Sequence, residues 1–130
     1  MNEVWFAYSL AYALAGGAAE VLEVLPSDVS AVVLPGGSAH ILPIILYDNV
    51  PGGAGLVARL EEENTMYDCL RAAYKRVTGG CGCGADESCY GCLRNYQNQF
   101  AHHELRRGPV KDLLETLLTN WRAPGFQSEK

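Results

Sequence analysis

The strongest constraint on how this chain can fold is a twelve-residue run, Cys81-Gly82-Cys83-Gly84-Ala85-Asp86-Glu87-Ser88-Cys89-Tyr90-Gly91-Cys92, which holds four of its five cysteines. The thiols fall as a C-x-C pair, a five-residue spacer and a C-x-x-C pair. Two close pairs joined by a short loop can bring four sulfurs onto one tetrahedral ion, and Gly82, Gly84 and Gly91 let the backbone turn sharply beneath them. Cys81, Cys83, Cys89 and Cys92 are therefore the expected metal ligands. One Zn2+ per chain is the expectation, because zinc is the usual ion for an all-thiolate shell with no open position. An iron–sulfur cluster is the competing chemistry, and a disulfide pair or merely buried thiols are the readings without a metal.

With 130 residues, 48% of them hydrophobic, the chain has material for one core. The expected organisation is a single domain over residues 1–122 and a disordered tail over 123–130. A secreted, disulfide-stapled miniprotein spreads its cysteines along the sequence, whereas clustering favours a reducing, cytoplasmic setting. The apolar opening Val4–Ala19 is broken by Ser9 and Gly16-Gly17 and is shorter than a membrane span requires. No lysine or arginine precedes Arg59, so a basic flank is missing too, and the segment reads as a core helix with no membrane role.

The net charge of −5 is unevenly distributed. Residues 1–68 carry nine acidic groups against one basic, residues 69–111 three against seven, and residues 112–130 three against two. A chain of this balance is not a general polyanion binder, but its metal-containing part can face phosphates.

Steps of three and four link Ala7, Leu10, Leu14, Ala18, Val21 and Leu25, which predicts one helix from Glu3 to about Leu25. Val4, Ala11, Ala15 and Leu22 form a second apolar face, and the abundant alanine and glycine allow close helix approach. Pro26 is the expected stop. Ser30–Leu34 and His40–Asp48 read as a β-hairpin across Pro35-Gly36-Gly37-Ser38, with Pro43 marking a bulge or an edge. A helix is expected from Leu56 to about Glu63. A second runs from Asn64 or Thr65 to Thr78, stopped by Gly79-Gly80, and Cys69 within it reads as a small buried residue. Gly108-Pro109 opens a last helix with the stripe Val110, Leu113, Leu114, Leu117 and Trp121. The fold class is α+β: four or five helices packed on a small antiparallel hairpin, with a four-cysteine zinc knuckle inserted between helices.

Several of these pieces together resemble the MrfA-like zinc-binding domain. They are Tyr47-Asp48-Asn49-Val50-Pro51-Gly52-Gly53-Ala54-Gly55, a following helix and the C-x-C…C-x-x-C cluster. After them come Leu93-Arg94, Tyr96, Asn98, His102 and Leu105-x-Arg107 before an amphipathic helix. The resemblance covers about residues 4–121. Such domains lie at the carboxy-terminal end of superfamily-2 DNA helicases, among them repair helicases and DrmB-type components of anti-phage defence. The resemblance thus implies a cytoplasmic zinc module serving a DNA-translocating ATPase, with Cys81, Cys83, Cys89 and Cys92 as its ligands. Relatives often show Leu-Asp-Arg where this chain has Leu105-Arg106-Arg107. The sequence holds no Walker A pattern and no helicase acid box, so the motor is expected in another chain or domain.

Other residues carry weaker readings. Gly52, Gly53 and Gly55 could offer backbone N–H groups to a phosphate, or could simply make a tight connection. Asp48 is expected to hold that loop by hydrogen bonds rather than to act as a base. Arg94, Tyr96, His102, Arg106, Arg107 and Lys111 make a basic, aromatic-interleaved group that suits nucleic-acid contact or a solvated face equally. Asn95 and Asn98 are expected to brace the knuckle through sulfur or backbone bonds. A closed thiolate shell and no nucleophile–base pair argue against an enzyme. The function implied is an accessory zinc domain of a helicase system in DNA repair or anti-phage defence, acting by docking to the motor, by guiding DNA, or both. The alternative is a free-standing adaptor that binds protein and no nucleic acid.

Overall fold

The computed structural model describes residues 3–34, 43–49 and 55–121. Helix α1 (Glu3–Leu22) leads through a 3-10 turn (Pro26–Asp28) into β1 (Val29–Val33) and β2 (Ile44–Asp48). A 3-10 segment (Val57–Glu61) then precedes α2 (Glu63–Val77). After the cysteine loop come a 3-10 stretch (Tyr96–Glu104) and α3 (Arg107–Asn120). The α+β architecture is the one expected, with helices packed on one antiparallel hairpin.

Helix α1 is organised by its smallest residues. Ala7, Ala11, Ala13, Ala15, Ala18 and Ala19 are buried, whereas Leu10, Leu14 and Val21 are only half-buried. The two expected apolar faces therefore merge into a small-residue surface flanked by the bulky side chains. The reason is the approach of α2: a Cβ on Gly17 would lie 2.6 Å from the Cys69 carbonyl oxygen and 2.7 Å from the Ala73 nitrogen. Only glycine lets the two backbones come this close. Cys69 is fully buried at this contact, and its Sγ faces the Leu14 carbonyl at 3.7 Å. Burial pushes its thiol up to about 11, so it is a neutral packing residue, as expected.

The helix stops at Leu22 rather than Leu25. Glu23 adopts a left-handed conformation (φ 61°), and the N–H groups of Glu23 and Val24 donate to the Glu20 and Ala19 carbonyls. This reversal satisfies the last carbonyls without a glycine, which is why the sequence did not signal it. Leu25 lies beyond the stop and is 66% exposed.

The hairpin pairs Val29 with Asp48 through to Val33 with Ile44. Pro43 lies just before β2, where its carbonyl accepts from the Leu34 N–H and its missing donor costs nothing. The expected strand residues 40–42 and the turn at 35–38 lie outside the described residues. The inner face packs on α1, while Val32, Ile45 and Tyr47 point outward and are more than a third exposed. The expected helix from Leu56 to Glu63 is a 3-10 segment, Val57–Glu61, and α2 starts at Glu63 with Glu62 accepting from the Thr65 N–H.

At α3, Val110 and Leu114 are fully buried but Leu117 is 39% exposed, so the expected core stripe narrows toward the end of the helix. The helix begins at Arg107, placing Pro109 third rather than first, still within the turn whose N–H groups need no helical acceptor. Ser9 is buried; its Oγ donates to the Trp5 carbonyl at 2.9 Å and accepts from the Arg106 N–H at 3.0 Å. The break in the apolar run is thus a tie between α1 and the start of α3. Among the described residues no helix is long and apolar enough to cross a membrane.

Gly17→Ala is expected to lower unfolding free energy by about 1–3 kcal/mol, because rigid backbone must give way. Gly80→Ala, which meets nothing within 4 Å, should stay within about 0.5 kcal/mol. Urea unfolding of the two variants checks the contrast.

Candidate metal centre

The cysteine loop leaves α2 at Thr78 and returns to regular structure at Tyr96. Gly82 sits at φ 95°, a turn conformation that sets Cys81 and Cys83 on the same side. The second pair is folded by Cys89, whose carbonyl accepts from the N–H groups of Cys92, Leu93 and Arg94 at 3.0–3.1 Å. A Cβ on Gly91 would lie 3.0 Å from the Cys81 Cβ and 3.4 Å from the Cys89 Sγ, so glycine is needed where the two pairs meet. Gly84 has ordinary space around it and is not required in that sense.

The four Sγ atoms of Cys81, Cys83, Cys89 and Cys92 all lie within 4.8 Å of one another. Cys81 Sγ is 3.5 Å from Cys83 Sγ, which is 3.8 Å from Cys92 Sγ. A tetrahedron with Zn–S bonds of about 2.3 Å has sulfur–sulfur edges of about 3.8 Å, whereas a disulfide needs about 2.05 Å. No pair is bonded: all five cysteines are free. A cluster of several irons would spread the thiolates over separate metal atoms, and the observed spacing is that of a single ion. The donor set fits zinc: four sulfurs close enough to share one ion, with two of their separations at 3.5 and 3.8 Å.

The surroundings suit an anionic centre. Four thiolates on a divalent ion leave about −2 of charge. The N–H groups of Cys89 and Gly91 point at the sulfurs of Cys92 and Cys89, at 3.2 and 3.3 Å. Arg107 reaches back from α3 and donates to the Cys83 carbonyl through Nε at 3.2 Å and through a terminal nitrogen. It also donates to the Val77 carbonyl at 3.2 Å. From the other side, Arg76 Nε donates to the Cys92 carbonyl at 3.2 Å. The N–H groups of Arg107 and Gly108 complete the clamp on Glu87 and Ala85.

A family model for the MrfA Zn-binding domain matches residues 10–93, well over half of the chain. The chain belongs to this family. The matched span takes in most of α1, the hairpin, α2 and every one of the four clustered thiols, so one zinc ion per chain is assigned to them. Neither a curated protein nor a solved structure matches the chain.

The remaining candidate residues of this MrfA-type domain separate into bracing and surface groups. Asn98 is fully buried: its amide donates to the Leu93 carbonyl at 2.7 Å and its oxygen accepts from the Asn95 N–H at 2.8 Å. Asn95 returns a bond from its own side-chain oxygen to the Asn98 N–H at 2.9 Å. The two asparagines brace the backbone that follows Cys92 and bond no sulfur. His102 Nε2 faces two acceptors, the Asn95 carbonyl at 2.9 Å and the Asn98 oxygen at 2.8 Å, so that nitrogen carries a proton and is not a metal ligand. Arg94 Nε donates to Ser88 Oγ at 2.8 Å, and Ser88 in turn donates to the His102 carbonyl at 3.2 Å.

Of the expected nucleic-acid group, Arg107 and His102 are therefore engaged within the domain. Arg106 is half-buried, and Lys111 pairs with Glu115 at 3.3 Å on the surface of α3. The side chain of Tyr96 lies outside the described residues, as do Gly52 and Gly53 of the expected phosphate loop. Gly55 is described, with φ 70°. Beside it the N–H groups of Leu56 and Val57 donate to the Asp48 carboxylate at 3.0 and 2.8 Å, so a carboxylate of the chain already occupies these donors. Arg76 and Ser88 carried no signal of their role, since their partners lie many residues away in sequence.

In the metal-free site the Cys83 backbone N–H draws the Cys81 thiol down to about 7, and burial pushes Cys92 up to about 12. Each thiol must lose its proton to bind, so zinc affinity rises with pH and falls on acidification. Below about pH 7 Cys81 adds one proton to those displaced, and the slope of log affinity against pH should steepen by about one there. Competition with a chromophoric chelator measures both slopes. In the same titration Arg107→Met is expected to weaken zinc binding by about ten- to a hundredfold, by loosening the Cys83 turn.

Proposed function

We propose that this is a zinc-dependent accessory domain of a DNA helicase or translocase system, acting in the cytoplasm in DNA repair or anti-phage defence. The observation that carries the reading is the family match over residues 10–93, which encloses all four thiols. The family resemblance noted in the sequence implies service to a superfamily-2 motor. Docking to such a motor is the domain's first role in this reading. Phe100, 64% exposed and packed edge-on to Tyr8, and the 58%-exposed Tyr90 offer aromatic surface suited to protein contact.

The zinc serves structure and not catalysis in this reading. A four-thiolate shell leaves no coordination position for water or substrate. Direct contact with DNA rests on Arg94, Arg106 and Lys111, the members of the basic group whose charged ends are not wholly engaged within the fold. The engagement of Arg107 and His102 favours, as a second reading, a protein-binding adaptor without nucleic-acid contact.

The test is reconstitution with an ATPase bearing helicase motifs that co-purifies with the zinc-loaded domain. Zinc-loaded domain is expected to raise that motor's DNA-stimulated ATP hydrolysis several-fold, and chelated domain to leave it unchanged. Recovery of partners without ATPase activity, with no effect on any motor, would move the assignment to the adaptor.

A further inference from the structure

A cleft of about 480 Å³ lies where the hairpin, α1, the end of α2 and the metal loop meet. Two arginines line it, Arg76 and Arg94, together with Tyr12, Tyr47, Tyr90 and Asn49. No aspartate or glutamate is among its described lining residues, although the chain as a whole carries −5. The cleft is thus a local positive region on an acidic protein.

Both guanidiniums are held by one edge. Arg76 Nε is bound to the Cys92 carbonyl and Arg94 Nε to Ser88 Oγ. Among the described residues neither forms an ion pair, and their terminal nitrogens have no hydrogen-bonded partner. Arg76 is further fixed by lying across Gly16, where a Cβ would come within 2.6 Å of its Nε. A guanidinium anchored at Nε presents its outer fork at little entropic cost, and that fork matches phosphate or carboxylate oxygens in bidentate fashion. The tyrosines add flat apolar faces. Tyr47 is 43% and Tyr90 58% exposed, so both rings have surface to offer.

We propose that this cleft binds a nucleotide unit, its phosphate at the outer edges of Arg76 and Arg94 and its base against the tyrosine rings. The pairing of anion donors with sequence-tolerant stacking faces is the chemistry of single-strand recognition. A carboxylate ligand would use the arginines but leave the three aromatic faces without a role. The inference goes beyond motor docking and does not require it. Its phosphate contact uses Arg94, which the DNA-contact reading also uses, and adds Arg76 and the tyrosines, which that reading lacks. The same unit can come from a single strand or from a free nucleotide.

The test uses the full zinc-loaded chain and a fluorescein-labelled oligothymidylate of about twelve bases, at about 50 mM salt where phosphate contacts are strong. Deoxyadenosine monophosphate and a short polyglutamate serve as competitors. Binding is expected, and Arg76→Gln and Arg94→Gln should each weaken it at least tenfold and reduce the salt slope by about 0.7. Tyr47→Ala, which removes a 43%-exposed ring from the cleft, should weaken it by about tenfold. Lys75→Gln, which removes an exposed charge outside the cleft, should leave it unchanged. Zinc content and circular dichroism of each variant separate loss of the site from loss of the fold.

Competition by the mononucleotide at similar affinity would identify free nucleotide as the source, and competition by oligonucleotide alone would identify a strand. The proposal is overturned if neither nucleotide probe binds the wild-type chain, or if polyglutamate displaces the oligonucleotide better than the mononucleotide does. It is equally overturned if Lys75→Gln weakens binding as much as Arg94→Gln, or if Tyr47→Ala has no effect. None of these outcomes bears on motor stimulation, which is measured separately.

Discussion

The convergence of four sulfurs within 4.8 Å is the contact on which the second half of the domain depends. Between the end of α2 and the start of α3 the chain forms only turns and a 3-10 stretch. Few of its residues are buried enough to hold it by apolar contact alone; Cys92, Leu93, Ala101 and Leu105 are the main ones. A structural zinc site supplies about 10–16 kcal/mol of apparent binding energy, comparable with the whole stability of a small domain. The ion stands in for a core that this segment lacks the side chains to build.

That local centre is joined to the rest by arginines as well as by the apolar contacts of Cys92, Leu93, Ala101 and Leu105 with Val77, Val110 and Leu114. Arg107 links Val77 at the end of α2 to Cys83, and Arg76 links α2 to Cys92. Both side chains donate to carbonyls of the metal loop, so each fills an acceptor and places positive charge beside the thiolates. Helix α2 contacts α1 at Gly17, and the glycine there has the same logic as the arginines: it lets one rigid element sit where a second one requires it. The order of dependence runs from ion to loop, from loop to the paired ends of α2 and α3, and from α2 to α1 and the hairpin.

Much of this was legible because the relevant signals are local. The thiol spacing, the Gly79-Gly80 stop, the hairpin and the role of Asp48 as a loop anchor each occupy a few consecutive residues. The stop at Glu23 was not legible, because a glutamate in a left-handed conformation leaves no compositional mark. The helix expected after Leu56 is instead a short 3-10 segment, tied at its start to Asp48 rather than continuing into a regular helix. Arg107 and His102 carried charge and ring nitrogens that looked available, and only the folded chain brings Val77, Cys83 and the two asparagines around them. The cleft joins residues of α1, the hairpin, α2 and the metal loop, which no spacing pattern records.

The Ser9–Arg106 bond joins positions 97 residues apart. Contacts of such long range carry a loop-closure cost and tend to slow folding. During synthesis α1 emerges first, and the donor for its buried hydroxyl does not exist until the chain has passed the cysteine loop. Ala7, Ala11, Ala15, Ala18 and Ala19 can pack on the hairpin and α2 beforehand, but the Ser9 hydroxyl waits for the segment beyond the metal loop to deliver residue 106. Closing the metal loop and pairing this hydroxyl of α1 are thus linked through one long-range bond, and the last polar tie of the first helix forms only when the far end of the metal segment is in place.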